Sequence, residues 1–258
     1  MGRKRLDGSC VLDIILFVLS LYVCRITNGY RVNFTGCTIA NSFQKCVNFD
    51  GGQISTLSSS SSTLASNLVY GCGADGISVM AGNRSTLTGG NFSIVGNRIL
   101  NVSRVIRTYT PAIRFNGVEL YIADNNISHT PHTALTGWGN DHVFERNTIS
   151  NACFASDDCG AFYVGRSWAQ RGMIVRSNTF RHIRPTERLG ATAGSQQAIY
   201  LDDQFSGVDV YNNLIENATV GVMLSGGRDV SVHHNTFNNN VEQDICVSAR
   251  DSDRCLID

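Results

Sequence analysis

Proline and charged residues are scarce in this sequence. Its 258 residues include three prolines against 25 glycines, a balance that indicates many turns and few rigid breaks. Charged residues make up only 16% of the chain, and the 21 basic residues balance the 21 acidic ones. No basic run occurs after the first five residues. The chain therefore lacks the concentrated positive field that nucleic acids and anionic membranes require, and we expect neither as a partner.

The N-terminus has the pattern of a signal peptide. A basic start, Arg3–Arg5, precedes the apolar run Ile14–Cys24. A membrane-spanning helix needs roughly 20 apolar residues, so this run is too short to cross a bilayer and fits the core of a secretory signal. The sequence predicts a signal peptide over residues 1–29, a mature domain over 30–258, and a secreted, extracellular protein without membrane attachment after cleavage. A short uncleaved anchor is the alternative.

Sequons and cysteines also indicate the secretory pathway. Six N-glycosylation sequons begin at Asn33, Asn83, Asn91, Asn101, Asn126 and Asn217. Seven of the nine cysteines lie beyond the predicted signal, and this odd number leaves one thiol over. The predicted disulfides are the local pairs Cys153–Cys159 and Cys246–Cys255. No pair has the CxxC spacing of a zinc or redox site, so we expect structural cysteines and neither a metal nor another cofactor.

One short phrase recurs along most of the chain. It has the form apolar–x–apolar–x–x–Asn–x–Ile/Phe, and its shortest step is 22 residues. Its asparagine falls at Asn67, Asn97, Asn125, Asn147, Asn178, Asn213 and Asn235, with Cys37 in the first copy. Apolar side chains at alternate positions point inward, and stacked asparagines can hydrogen-bond between coils about 4.8 Å apart. The repeat favours an all-β, single-stranded right-handed parallel β-helix (a pectin lyase-like solenoid) of about eight coils over an antiparallel β-sandwich.

A second strand precedes each asparagine phrase, as in GAFYVG and AIYLDD. Because side chains alternate along a strand, Tyr163 and Tyr200 are expected to point outward on neighbouring coils. We expect their stacked rings to form a flat platform on which a sugar ring can lie.

Acidic pairs flank these two strands. Asp157 and Asp158 precede the first strand, and Asp202 and Asp203 follow the second. Aspartates are poor strand residues unless they are hydrogen-bonded or solvated, so the pairs invite a functional interpretation. Glycoside hydrolysis uses paired carboxylates, of which one protonates the leaving oxygen and the other attacks the sugar or activates water. Asp202 shares the outward parity of Tyr200 and is the stronger candidate.

Further residues are expected on the same face. The predicted substrate-binding residues are His132, Trp138, Tyr163, Arg166, Tyr200 and Arg228. A histidine such as His132 is alternatively a hydrogen-bonded structural residue. The aspartates themselves have an alternative role, in which they form a structural ladder of ion pairs with Arg166 and Arg228.

Several strings around these residues resemble the β-helix proteins related to glycoside hydrolase family 141. The strings are TYTPAIRFNGV, HTPHTAL, GNDH, DDCGAFYVGRSWAQRG, AIYLDDQFSG and GGRD, within a match over about residues 87–250. The resemblance implies a secreted polysaccharide-active enzyme, since fucosidases and xylanases occur among such proteins, with catalytic aspartates at Asp158 and at Asp202 or Asp203. Cys159 stands where these proteins usually have alanine, and this domain is shorter at both ends than theirs.

The sequence thus predicts a glycoside hydrolase, or a diverged relative of one, that acts on a polysaccharide or other glycan through paired aspartates. The alternative from another class is a non-catalytic carbohydrate-binding or structural β-helix. A polysaccharide lyase is disfavoured because lysine occurs only at Lys4 and Lys45 and arginine stays protonated, which makes it a poor base. No pattern in the chain indicates an oligomeric state.

Overall fold

The computed structural model of the protein describes residues 22–27, 32–51, 61–186 and 196–248. Within these ranges the chain forms 25 β-strands, and no helix capable of crossing a membrane is present. The strands pair in parallel into three sheets. The predicted all-β class is therefore confirmed.

The strands are numbered β1 to β25 in chain order and every third strand belongs to the same sheet. Sheet I contains β1 (Tyr22–Thr27), β4 (Lys45–Asp50), β7 (Ile77–Ala81), β10 (Ile113–Val118), β13 (Leu135–Asn140), β16 (Cys159–Val164), β19 (Gln196–Leu201), β22 (Val220–Ser225) and β25 (Gln243–Ser248). Sheet II contains β2 (Asn33–Thr35), β5 (Ser62–Ala65), β8 (Phe92–Val95), β11 (Leu120–Ala123), β14 (Val143–Glu145), β17 (Met173–Arg176), β20 (Val208–Tyr211) and β23 (Ser231–His233). Sheet III contains β3 (Thr38–Ala40), β6 (Leu68–Tyr70), β9 (Arg98–Leu100), β12 (Asn126–Thr130), β15 (Thr148–Ala152), β18 (Thr179–Arg181), β21 (Leu214–Glu216) and β24 (Thr236–Asn238).

Each coil passes through sheets I, II and III before the chain reaches the next level. β10, β11 and β12 form one coil, and β13, β14 and β15 form the next. Equivalent residues of the sequence repeat lie in register, with Ile122 opposite Phe144 and Ile127 opposite Ile149. The eight strands in each of sheets II and III confirm the predicted right-handed parallel β-helix of about eight coils.

Apolar side chains from alternate strand positions fill the inside of the solenoid. Phe115, Phe144 and Phe162 are fully buried, and the ring of Phe144 lies 4.8 Å from that of Phe115 and 4.9 Å from that of Phe162. A single coil cannot cover its own apolar edges, so each level is stabilised by the levels above and below it. The period-two pattern of the sequence is therefore confirmed as the origin of the core.

The predicted asparagine ladder runs along the corner between sheets II and III. Its members are Asn67, Asn97, Asn125, Asn147, Asn178, Asn213 and Asn235. The Oδ1 of Asn125 accepts from both the backbone N–H and the Nδ2 of Asn97, at 2.9 Å each. Its own Nδ2 donates to the Ile94 carbonyl and to the Oδ1 of Asn147, again at 2.9 Å. The amide of Asn125 thus links buried polar groups on three levels of the stack.

Left-handed backbone at the corners explains the scarcity of proline. The residue before each repeat position has a φ between 53° and 67°: Gly36, Ser66, Gly96, Asp124, Arg146, Ser177, Asn212 and His234. The fourth residue after each repeat position is also left-handed: Asn41, Gly71, Asn101, His129, Asn151, His182, Asn217 and Asn239. Proline has a φ fixed at about −65° and cannot occupy these positions, whereas glycine and asparagine adopt a positive φ more readily.

Two disulfides lie within the described residues. The predicted pair Cys153–Cys159 is confirmed. A second bond joins Cys46 to Cys72 across adjacent coils, at a sequence separation of 26 residues. This second pair was not predicted, because it depends on the stacking of two levels and not on local spacing.

Two other predictions fall largely outside the described residues. Of the predicted signal segment, residues 1–29, only 22–27 are described, and they form β1 beside β4. Cys246 is disulfide-bonded, while its predicted partner, Cys255, lies outside the described residues. Both the signal peptide and the Cys246–Cys255 pair stay predictions.

A neutral histidine lies in the core next to the aromatic stack. His142 is fully buried, and its ring is 5.4 Å from that of Phe115. The Leu120 N–H donates to Nδ1 at 3.1 Å, so Nδ1 carries no proton and Nε2 donates to the Trp138 carbonyl at 3.2 Å. Burial lowers the pKa of His142 to about 4.

This lowered pKa makes folding sensitive to acid. Between about pH 6.5 and about pH 4, His142 binds a proton in the unfolded chain but not in the folded protein. The free energy of unfolding is therefore expected to decrease by about 3 kcal/mol as the pH is lowered through this range. Urea unfolding of the protein and of His142→Asn across this range measures the difference. The exposed His129 provides the control: His129→Asn should keep the wild-type slope, and parallel curves for His142→Asn would contradict the expectation.

Candidate functional site

The predicted site lies on the outer face of sheet I, where β13, β16 and β19 are adjacent. Tyr163 of β16 is in register with Tyr200 of β19 and with Thr136 of β13. The strands end at Val164 and Leu201, so the second acidic pair begins directly after β19. If both tyrosines point outward, as the sequence predicts, they lie on the same face of the sheet as these aspartates.

The two tyrosines do not form the flat platform that the sequence suggested. Their ring centroids are 5.4 Å apart, but the ring planes meet at 77° in an edge-to-face arrangement. Tyr200 is also only 7% exposed. The prediction of a stacking surface was wrong, because each phenol turns its hydroxyl toward an aspartate instead of lying parallel to its neighbour.

Asp158 and Asp202 come from opposite ends of adjacent strands and meet at the tyrosine hydroxyls. The Tyr200 hydroxyl hydrogen-bonds to Asp158 Oδ1 at 3.3 Å, and the negative charge of Asp202 acts on both of these groups. The Tyr163 hydroxyl donates to Asp202 Oδ2 at 3.0 Å, and the Asp203 N–H donates to Asp202 Oδ1 at 2.7 Å. Tyr163 and Tyr200 are in register on adjacent strands, and their ring centroids are 5.4 Å apart. The carboxylates of Asp158 and Asp202 therefore converge.

The environment of the cluster raises the pKa of Asp158. Burial is the largest cause, and the negative charge of Asp202 adds to it, while the hydrogen bond from Tyr200 acts in the opposite direction. The pKa values of Tyr163 and Tyr200 are also raised, by burial first and then by Asp202, so both phenols stay protonated. Asp158 therefore carries a proton more readily than an ordinary aspartate does.

Asp157 is hydrogen-bonded to the first residue of β19 and not to the tyrosine hydroxyls. Its Oδ1 accepts a hydrogen bond at 3.1 Å from Nε2 of Gln196, a buried residue that also donates to the Ser156 carbonyl. The first acidic pair of the sequence is therefore divided, with Asp157 bound to β19 and Asp158 in the site.

The backbone of the cluster is left-handed at residues that are not glycine. The φ angles are 49° at Asp158, 64° at Arg166, 49° at Asp203 and 63° at Gln204. None of these residues occupies the regular corner positions of the coil. Such backbone costs of the order of 1 kcal/mol or more per residue and commonly marks a functional segment.

Two glycines of β16 and its following turn admit the close packing of the site. A Cβ on Gly160 would lie 2.6 Å from the Cβ of Tyr200, and one on Gly165 would lie 3.1 Å from both the Asp202 Cβ and the Tyr163 hydroxyl. Side chains at these positions would displace the groups that the cluster brings together. The GAFYVG string therefore needs both glycines for steric reasons.

Only one of the two predicted arginine partners pairs with an aspartate here. Nε of Arg166 lies 3.0 Å from Asp203 Oδ2, and this ion pair is the part of the ladder hypothesis that the structure contains. The guanidinium of Arg228 lies instead over the ring of Trp168, 5.2 Å from its centroid. The backbone N–H of Arg228 donates to Ser206.

Trp168 is an exposed aromatic residue that was not among the predicted site residues. It is 65% exposed, and the predicted Trp138 is 50% exposed. The turn that carries Trp168 is tied to β13, because the Gly139 N–H donates to Gln170 Oε1 at 2.7 Å and Asn140 Nδ2 donates to the Ala169 carbonyl at 3.0 Å. Both tryptophans of the chain thus present their rings to solvent.

A cleft of about 220 Å³ opens on the same face beside Tyr163. The residues whose side chains characterise it are Tyr109, Arg114, Trp138, Tyr163 and Arg166. Tyr109 and Arg114 were not predicted, since the loop that carries Tyr109 has no repeat pattern.

His132 lies beneath the cleft and not on its surface. It is buried, its ring is 4.9 Å from that of Tyr109, and its Nδ1 is 2.8 Å from Thr133 Oγ1. Burial lowers the pKa of His132 to about 4. This placement fits the structural alternative for His132 better than direct contact with a ligand.

Comparisons with known proteins bear on the fold and not on the site residues. Neither the curated proteins nor the solved structures contain a match to the chain. The resemblance to glycoside hydrolase family 141 accordingly stays a prediction. A family model described as right handed beta helix region matches residues 111–258, which is more than half of the chain. The protein belongs to this right-handed β-helix family.

Proposed function

We propose that the outer face of sheet I binds a glycan and hydrolyses a glycosidic bond. The observation that carries the proposal is the convergence of Asp158 and Asp202 on the hydroxyls of the neighbouring Tyr200 and Tyr163. Glycoside hydrolysis uses two such carboxyls about 5 to 9.5 Å apart.

The two carboxyls have different surroundings, which suits different roles. Asp158, with its raised pKa, protonates the leaving oxygen of the glycosidic bond. Asp202 attacks the anomeric carbon or takes a proton from the water that does so. In the net reaction the C–O bond breaks, the anomeric carbon gains the hydroxyl of water, and the leaving oxygen gains a proton.

Neighbouring residues orient Asp202 and hold the sugar. The Tyr163 hydroxyl and the Asp203 N–H each donate to one oxygen of Asp202 and so fix the plane of its carboxylate. Arg166 binds Asp203 and offsets its charge. The exposed rings of Trp138 and Trp168 offer the apolar faces on which sugar rings stack.

The proposal includes secretion. The disulfides Cys46–Cys72 and Cys153–Cys159 suit an oxidising compartment. Among the predicted sequons, Asn33, Asn91, Asn101 and Asn126 are exposed, Asn217 is half-buried and Asn83 is buried. None of the five accessible asparagines lies on a strand of sheet I, so glycans at these positions would leave the proposed binding face uncovered.

A non-catalytic glycan-binding β-helix is the second candidate. The Arg166–Asp203 ion pair favours it, because this contact alone gives the second acidic pair a structural role. In that case the tryptophans bind sugar, and the aspartates stabilise the turn after β19.

Hydrolysis of a broad panel of polysaccharides, measured as new reducing ends, separates the two candidates. The wild-type protein is expected to cleave at least one glycan, and Asp202→Asn is expected to bind it with little cleavage, because general acid or base groups contribute about 10² to 10⁴ in rate. Asp124→Asn is the matched control, since Asp124 forms an exposed ion pair with Arg146 near sheet II. Binding by the wild type without cleavage above the Asp202→Asn background would support the non-catalytic candidate instead.

A further inference from the structure

The cleft beside Tyr163 is cationic, although the adjoining cluster is acidic. Arg114 and Arg166 both line the cleft. Arg166 is 77% exposed on its side chain, so its charge is available to a ligand as well as to Asp203. Across Tyr163 lie Asp158 and Asp202. The charge on the outer face of sheet I therefore changes from positive to negative along the face.

The guanidinium of Arg114 is held in place by the buried carboxylate of Asp75. Its Nε and Nη2 bind the two oxygens of Asp75 at 2.9 Å and 3.0 Å, and Asp75 is only 1% exposed. Lys45 also binds Asp75, with Nζ 3.3 Å from Oδ2. Two cations thus share one buried carboxylate, and the group keeps a net positive charge. The bidentate contact fixes the plane of the Arg114 guanidinium and does not involve Nη1. Because the side chain is already ordered, it loses little conformational entropy when a ligand binds.

Exposed aromatic rings complete the cleft. Tyr109 and Trp138 are both exposed there. The volume of about 220 Å³ is below the roughly 300 to 1,000 Å³ typical of pockets for drug-sized ligands, which suits a single sugar unit. Apolar ring faces together with arginines match a sugar that carries an anionic group.

From this charge pattern we infer that the glycan is acidic and that a carboxylate or sulfate group of one sugar unit binds in the cleft between Arg114 and Arg166. The inference rests on the proposed glycan-binding function of this face. The scissile bond then lies over Tyr200 and Asp202, at a unit next to the anionic one. An anionic group directly at the acidic cluster would be repelled by Asp158 and Asp202, so the charge pattern sets the direction in which the chain lies.

Binding measurements with matched charged and uncharged glycans test the inference without requiring hydrolysis. The probes are polygalacturonate and its carboxyl-reduced form, and carrageenan and its desulfated form, each in affinity gel electrophoresis at two salt concentrations. Tighter binding of the acidic member of at least one pair, by about tenfold and reduced at high salt, is expected. The pair that shows the difference identifies carboxylate or sulfate as the recognised group.

Variants locate the binding to the cleft. Arg166→Gln and Arg114→Gln are each expected to weaken binding of the acidic glycan about tenfold and to weaken binding of its uncharged form by much less. Arg114→Lys keeps a charge beside Asp75 and is expected to lose less, which separates ligand binding from loss of the fold. Arg181→Gln removes an equal charge from a pair with Glu216 on sheet III and should behave as the wild type.

The outcomes separate the inference from the proposed function. Equal binding of charged and uncharged glycans, or unchanged binding in both arginine-to-glutamine variants, would overturn the inference even if neutral glycans are hydrolysed. Charge-dependent binding that is lost in these variants upholds the inference, and if no glycan is cleaved it is the hydrolase proposal that fails.

Discussion

Replacing Asn125 with alanine is expected to lower the free energy of unfolding by about 4 kcal/mol, whereas replacing its neighbour Asn126 should have little effect. The two residues are adjacent in the chain, but Asn125 is buried in the ladder and Asn126 is exposed. The Asn125→Ala change leaves the backbone N–H of Asn97 and the carbonyl of Ile94 without their partners. Each unsatisfied buried group costs about 1 to 3 kcal/mol.

The comparison is best made by urea unfolding of protein produced without glycosylation, because Asn126 begins a sequon. Without glycans, the two variants differ only in the side chain that is removed: Asn125→Ala removes a buried amide, and Asn126→Ala removes an exposed one. Equal stabilities for the two variants would show that the ladder is a consequence of the fold and contributes little to it.

Changing the leaving group is expected to distinguish the roles of Asp158 and Asp202. Asp158→Asn should slow hydrolysis of the natural glycan by about 10² to 10⁴, because the leaving alkoxide then lacks a proton donor. A nitrophenyl glycoside of the same sugar needs no such donor, and its rate should fall by less than about tenfold. Asp202→Asn should slow both substrates, because attack at the anomeric carbon is common to them.

The pH profile adds a second measurement of the same assignment. The raised pKa of Asp158 extends its protonated form to higher pH than an ordinary aspartate allows, so the alkaline limb of the wild-type profile should lie correspondingly high. The nitrophenyl glycoside should lose this limb in Asp158→Asn. An equal loss of rate on both substrates in Asp158→Asn would instead make Asp158 a residue that positions Tyr200 and not the proton donor.

The repeat in the sequence was sufficient to predict the fold. The asparagine phrase specifies where each coil turns, and the alternation around it specifies which side chains face inward. Asn125 and Asn147 are 22 residues apart and bond directly in the structure. Such local patterns predict the fold because every coil packs against its nearest neighbours in the same way.

The site was only partly predictable. The sequence marked the coils of Tyr163 and Tyr200 as departures from the repeat, but the predicted ring orientation was wrong, because it depends on hydrogen bonds between residues on different coils. The contribution of Trp168 was missed for a similar reason: the turn that carries it is anchored on β13.

By itself the sequence determined the parallel β-helix, its inward and outward faces, the corner asparagines and the acidic residues that interrupt the pattern. The tertiary structure alone decided that Asp158 and Asp202 meet although they flank opposite strand ends, that Cys46 bonds to Cys72, and that Arg114 faces the cleft with Asp75 behind it. The physical reason is that a repeat encodes contacts between equivalent positions of successive coils. The site consists of contacts between positions that are not equivalent, and these follow only from the turns and glycines that bring the coils' irregular segments together.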